Sequence, residues 1–159
     1  MATSTLGLTA GRLLASLVAV SNSISPYLAD FNASHVYNPN WPPHARFHNG
    51  QTMSMGFCLG LLTLYYVWRP VASSMPYTKA MTKDSMFSAA LIGTLYWVTG
   101  ISGGFYPGAL FLDPEFIGTK YDQKVLGLPG QATVFMFHAL GMWAAYGLET
   151  RRLGMLKEA

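Results

Sequence analysis

Pro42-Pro43-His44-Ala45-Arg46-Phe47-His48-Asn49-Gly50-Gln51 stands where a polar loop gives way to a long apolar run, and its reading decides the fold. The paired prolines suit the first turn of a helix, where their missing N–H groups have no intrahelical partner to lose. A helix is therefore expected to begin at about residue 43. On it His44, His48 and Gln51 fall at i, i+4 and i+7, on one face. Polar groups gathered on one face at the mouth of a membrane helix read as a site.

The membrane expectation comes from composition. The chain has 159 residues, of which 51% are hydrophobic and 11% charged. A soluble domain usually carries about 25% charge. Mean hydropathy is +0.26. The expectation is one integral membrane domain spanning residues 1–159. The sequence pI of about 9.1 reflects Lys and Arg placed outside the apolar runs, which act as topology signals and not as a nucleic-acid surface. The single cysteine, Cys58, excludes an internal disulfide and is expected in the core. The N-terminus has no basic start followed by a small-residue cleavage site, so its apolar run is expected to remain as a first helix.

Four segments have the length to cross about 30 Å of hydrocarbon: Leu6 to Ile24 (ending before Pro26), Pro43 to Trp68, Ser85 to Tyr106, and Gly130 to Leu148. Tyr65, Tyr66, Trp68 and Tyr106 sit near segment ends, as in interfacial belts. Gly56 and Gly60 form G-x-x-x-G, and Gly93 and Gly100 lie in the third segment; such residues allow close helix contact within a bundle or between copies of the chain. The expected fold is an all-α four-helix transmembrane bundle with a polar lumenal loop before the second helix. Arg69, Lys79, Lys83, Arg151, Arg152 and Lys157 fall on one side, against Arg46, Lys120 and Lys124 on the other. That bias places both termini in the cytosol, with Arg12 in accord. Residues 25–42 and 107–129 then face the lumen, and the endoplasmic reticulum is the expected membrane.

This topology sends the second and fourth helices inward from the lumenal side. Gln51 and His138 then lie at similar depth, about 12 Å in, with His48 shallower. Gln131, Phe135, His138 and Met142 form one stripe. Tyr96, Trp97, Thr99 and Ser102 come from the third helix, and Ser21 and Asn22 from the first. The cytosolic half reads as more uniformly apolar, so a pocket open toward the lumenal leaflet is expected. Two loops can cap it, one with Asp30, Asn32, Ser34, His35, Tyr37 and Asn38, the other with Asp113, Glu115 and Asp122.

Each group has a plainer alternative. His44 and His48 could satisfy loop carbonyls at the interface, or ligate a metal with His35, Asp30 or Glu115. His138 could make an interhelical hydrogen bond. Trp41 could anchor at the interface before it stacks on a substrate. Asp113-Pro114-Glu115 reads as a turn. Arg46 points away from the histidines and could snorkel to head groups. Asn32-Ala33-Ser34 is a glycosylation sequon close to the membrane.

The run from Asp30 to Gln51, Asp-Phe-Asn-x-Ser-His-x-Tyr-Asn-Pro-x-Trp-Pro-Pro-His-Ala-Arg-Phe-His-x-x-Gln, resembles the signature of a family of small four-helix membrane proteins, common in filamentous fungi and with looser bacterial relatives. Some members are encoded beside natural-product genes. The resemblance implies a tailoring enzyme for a terpenoid or polyketide, with a norbornene-forming Diels–Alderase as one example; it brings no catalytic residues with it. The small polar-lined bundle is also similar to the emopamil-binding sterol isomerases, whose motif is absent here.

The leading expectation is thus a cofactor-independent membrane cyclase or isomerase acting on a lipophilic small molecule. An apolar pocket would hold the substrate in a reactive conformation, and donors at its mouth would stabilise developing charge or move a proton. His44 and His48 are the expected acid–base or donor pair, with His35 and Asp30 tuning a histidine. Asn38, Trp41, Gln51, His138, Tyr96, Trp97 and Glu115 are the expected substrate contacts. The alternatives are a His-ligated metal-dependent oxidase or hydrolase, and a non-enzymatic lipid-binding or assembly protein. No nucleotide loop, G-x-S-x-G elbow or dinucleotide fingerprint is present.

Overall fold

The computed structural model describes residues 7–156. The expected helix start at Leu6 and the basic residue Lys157 lie outside them. Four α-helices make up most of the chain: α1 Ala10–Asp30, α2 Pro43–Ala72, α3 Lys79–Gly103 and α4 Gly130–Met155. Each helix touches the next in sequence, and α4 returns against α1, closing a four-membered ring. The all-α four-helix expectation holds. A short antiparallel pair, β1 Lys124–Val125 and β2 Leu128–Pro129, closes the loop before α4. The Asp113-Pro114-Glu115 turn is present as a 3-10 turn over Pro114–Phe116.

Each helix runs beyond the expected limit at one end, α1, α2 and α4 at the C-terminal end and α3 at the N-terminal end, while α3 stops short of Tyr106. α1 continues through Pro26. Proline inside a helix removes one backbone hydrogen bond, but Pro26 is buried against α2 at Gly56, where an added Cβ would lie 2.9 Å from its Cγ. The tertiary contact carries the helix past the proline. α2 likewise passes Pro70. The Thr9 hydroxyl accepts from the Arg12 N–H and caps α1, and Thr78 caps α3 in the same way.

The G-x-x-x-G pair sets the closest approach. A Cβ on Gly60 would meet the Ser23 Oγ at 2.0 Å and the Ala19 carbonyl at 2.5 Å, so only glycine lets α1 and α2 lie this near. Asn49, Met53, Gly56, Gly60, Thr63, Val67 and Pro70 are the buried residues of α2, in steps of three and four. On α4, the Phe135 ring lies over Gly100 of α3.

Polarity is distributed inside-out. Arg12, Asn22, Asp30, Asn49, Thr63, Thr82, Ser85, Thr94, Thr133 and Glu149 are buried, whereas Leu17, Ile24, Phe57, Leu61, Leu91, Leu95, Phe137 and Leu140 are exposed. Two buried hydroxyls return to their own helices, Thr63 donating to Leu59 O at 2.8 Å and Thr94 to Ala90 O at 2.6 Å, whereas Ser85 of α3 donates across to Tyr66 O of α2 at 2.6 Å. Among the described residues only α3 is long and apolar enough to cross a membrane by hydropathy. The other three have the length but do not reach that hydropathy.

Two expectations about the interior fail. Cys58 is exposed on the outer face of α2, because the inward positions are those in phase with Gly56 and Gly60. The end of the bundle opposite the α1–α2 loop is not uniformly apolar. There Glu149, fully buried, accepts from Thr9 Oγ1 at 2.6 Å and from Arg152 Nη2 at 2.6 Å, and lies 3.8 Å from Arg12 Nη2. Arg12 is thus a buried partner of α4 and not a free surface charge. Gly11 allows this approach, since a Cβ there would lie 2.7 Å from Ala145 O.

Candidate functional site

His44, His48 and Gln51, the centre of the expected site, are all exposed on the outer face of α2. The helix spacing that gathers them is real; the face is the wrong one. Burial of Gly56 and Gly60 against α1 turns Asn49 inward and the two histidines outward. Their Nε2 atoms lie 3.0 Å apart, and both rings contact Phe47. They are set apart from His35, Asp30 and Glu115, the third metal ligands considered. Among the described residues no three His, Cys, Asp or Glu side chains converge on one point.

Asp30 is buried instead, and His35, whose side chain is 31% exposed, stands beside it. Asp30 is the last residue of α1, beyond the apolar run that ends at Ile24. Its Oδ2 accepts from Asn49 Nδ2 at 2.8 Å, and its Oδ1 lies 3.8 Å from His35 Nε2. Burial pushes the Asp30 carboxyl above the usual carboxylate range, against the opposing pull of the His35 charge and the Asn49 hydrogen bond.

The next turn of chain orients the imidazole. Asn32 Nδ2 donates to Ala29 O at 2.6 Å, which aims Asn32 Oδ1 at Ser34. Ser34 then donates its N–H and its hydroxyl to that oxygen, at 2.8 and 2.7 Å. With its proton so committed, the Ser34 hydroxyl accepts from His35 Nδ1 at 2.7 Å. Nδ1 therefore carries hydrogen, and Nε2 is the nitrogen that faces Asp30. At 3.8 Å the imidazole and the carboxyl face each other without a hydrogen bond, and each can take up or release a proton beside the other. Asn32, the residue of the sequon, is thus tied into the site.

Asn38, Trp41 and Glu115 do not line an open mouth. They fasten the α1–α2 and α3–α4 loops to each other, as the shared side of the two loops predicts. Glu115 accepts from Asn38 Nδ2 and Asn40 Nδ2, each at 2.7 Å, and Trp41 Nε1 donates to Asp113 at 3.2 Å. Arg46 does not snorkel; its Nη2 donates to the Asn38 carbonyl at 2.7 Å. Trp41 also lies edge-on to His35, with centroids 4.9 Å apart.

His138, Tyr96 and Trp97 do face the interior, with Phe135 and Met142 of the same α4 stripe; Gln131 is exposed. The Trp97 ring stacks on His138 with centroids 4.2 Å apart, and contacts Tyr96 and Phe135 at 5.1 and 5.6 Å. His138 Nδ1 donates to Val134 O at 2.7 Å, since a carbonyl can only accept; Nε2 then accepts from the Ser21 hydroxyl at 2.7 Å. Both ring nitrogens are occupied, so His138 joins α4 to α1. These rings stack on one another at the level where a pocket was expected. A groove of about 330 Å³ lies elsewhere, on the outside of the α1–α2 seam, lined by Ser23, Ile24, Tyr27, Leu28 and Phe57.

Asn49 and Glu149 were missed by sequence reasoning. A signal for Asn49 existed: stepping back from Gly60 and Gly56 by three and four residues leads to Met53 and then Asn49. Glu149 could have been found from its spacing to Arg152.

Residues 14–154 match the family of unknown function DUF6640. The chain belongs to that family. No curated protein and no solved structure matches it. The matched region of this DUF6640 member takes in the whole Asp30–His35–Asn49 centre and the loop staple, and leaves out Thr9 and Arg12.

Proposed function

We propose that this chain is an integral membrane enzyme that isomerises or cyclises a lipophilic small molecule, of terpenoid or polyketide type, by proton transfer from Asp30 and His35 without a cofactor. The observation that carries the reading is a carboxyl group buried between two helices, held by Asn49 and faced by an imidazole of fixed orientation. Such a pair can protonate one atom of a substrate and take a proton from another, and both carbonyl isomerisation and proton-initiated cyclisation need that.

Four spans with cytosolic termini, in the endoplasmic reticulum, are part of the same proposal. Support comes from the inside-out distribution of polar residues, since lipid requires the outer faces to be apolar and confines polar side chains to the bundle interior. In that orientation Asp30 and His35 sit at the lumenal boundary, and the α1–α2 groove opens laterally to lipid on the same side. A lipophilic substrate can enter from the bilayer and present its polar end at the boundary.

The test compares lipid-soluble metabolites of cells expressing wild type, Asp30→Asn, His35→Ala, or His44→Ala/His48→Ala. The expected result is a wild-type product that is lost in the first two variants, by a factor of about 10²–10⁴, and kept in the third, with all proteins present in the membrane fraction. Unchanged product from Asp30→Asn would overturn the assignment; loss only in the double histidine variant would return the chemistry to the outer face of α2.

A further inference from the structure

One layer of the bundle interior contains polar atoms that the protein leaves unmatched. Asn22 of α1 is fully buried, and neither its Nδ2 nor its Oδ1 has a hydrogen-bond partner. Trp97 of α3 is 1% exposed, and its Nε1 has none. The two belong to the same level. Trp97 stacks on His138, which is bonded to Ser21, the neighbour of Asn22. From the other side, the position of a Gly56 Cβ lies 3.0 Å from Asn22 O and 3.2 Å from the Tyr96 ring.

Buried amides and indole N–H groups are nearly always paired, because each was hydrogen-bonded to water before folding and loses that bond on burial. Asn22 Nδ2 and Trp97 Nε1 can only donate and Asn22 Oδ1 can only accept, so a guest that meets both residues must both accept and donate. A carbonyl oxygen accepts only, and would leave Asn22 Oδ1 unmatched. A hydroxyl does both.

We propose that the Asn22–Trp97 layer is a binding site for a neutral hydroxyl group. Two sources carry that group: a water molecule, or the alcohol end of a lipophilic molecule entering from the bilayer. The proposal stands on burial and hydrogen-bond pairing. It deepens the enzymatic reading by naming the functional group of the substrate, but binding does not require turnover.

The experiment is thermal unfolding of the full chain in detergent, with dodecanol as probe and dodecyl methyl ether, which has no O–H, as control. Proteins compared are wild type, Asn22→Leu, Trp97→Phe and Asp30→Asn. Alcohol binding predicts a saturable rise in Tm with dodecanol but not with the ether, absent in Asn22→Leu and in Trp97→Phe. It persists in Asp30→Asn, which separates this site from the acid–base reading. A bound water predicts no response to dodecanol and a lower Tm for both Asn22→Leu and Trp97→Phe, because each strands the guest's remaining bonds. The proposal is overturned if dodecanol has no effect and Asn22→Leu melts at or above wild type, the result expected of a polar group that was simply unpaired. If Asn22→Leu does not fold, Trp97→Phe alone decides by the same two readouts.

Discussion

Replacing Gly60 by alanine tests the contact on which the whole site assignment depends. The new Cβ would sit 2.5 Å from the Ala19 carbonyl and 2.0 Å from Ser23 Oγ. The serine can rotate; the carbonyl belongs to the α1 backbone and cannot. Restoring an ordinary C···O contact of about 3.3 Å requires the helices to part by roughly 0.8 Å. Overpacking of this kind costs about 1–3 kcal/mol. Alanine also favours the helix by about 1 kcal/mol over glycine, so the single variant mixes two effects. Gly50→Ala separates them, because nothing lies within 4 Å of a Cβ there and both residues are interior to α2. Gly50→Ala is expected to melt above wild type and Gly60→Ala below Gly50→Ala. At about 2–4 °C per kcal/mol for a chain this long, the two should differ by roughly 2–12 °C. Thermal unfolding followed by circular dichroism in one detergent measures it. Equal melting temperatures would refute the α1–α2 contact, and with it the inward placement of Asn49 and the outward placement of His44 and His48.

Two further outcomes follow from the buried charges. Glu149→Gln keeps the shape but removes the charge that faces Arg12 and Arg152, and is expected to cost about 3–5 kcal/mol, whereas Arg151→Ala on the exposed face should stay within about 0.5 kcal/mol; comparable melting of the two would show that the Thr9–Glu149–Arg152 network does not hold the helix ends together. Asp30, whose carboxyl is raised above its ordinary 3.8, binds its proton more tightly folded than unfolded, so its contribution is fully present below that value and declines as pH rises toward the folded pKa. Wild-type stability should therefore fall with pH in that window relative to Asp30→Asn, and parallel profiles would contradict the burial of the acid.

The legibility of this chain differs between helix existence and helix phase. Segment number, segment order and the proline-led start of α2 follow from apolar run length and local chemistry, which are properties of neighbouring residues. The α1–α2 and α3–α4 loops could be placed on one side by counting spans, and Glu115 does meet Asn38 and Asn40 there. Phase was misjudged in α2 because two stripes compete. The polar one through His44, His48 and Gln51 is the more conspicuous, but it carries no small residue, while the one through Asn49, Met53, Gly56 and Gly60 permits backbone contact. Extent was misjudged in α1 because Pro26 breaks an isolated helix and is tolerated where Gly56 receives it.

What the sequence by itself determined is an all-α chain of four long helices, with polar loops at one end and the inward stripe of Phe135, His138 and Met142 on α4. Those features depend on periodicity and composition alone. Only the tertiary structure decided that Asp30, His35 and Asn49 meet, that Asn22 and Trp97 share a layer, and that Arg12 lies against Glu149. These groups come from different helices and, for His35, from the α1–α2 loop, and their meeting depends on how closely the backbones approach. That distance is set by Gly11, Gly56 and Gly60, whose missing side chains leave no mark in a hydrophobicity pattern.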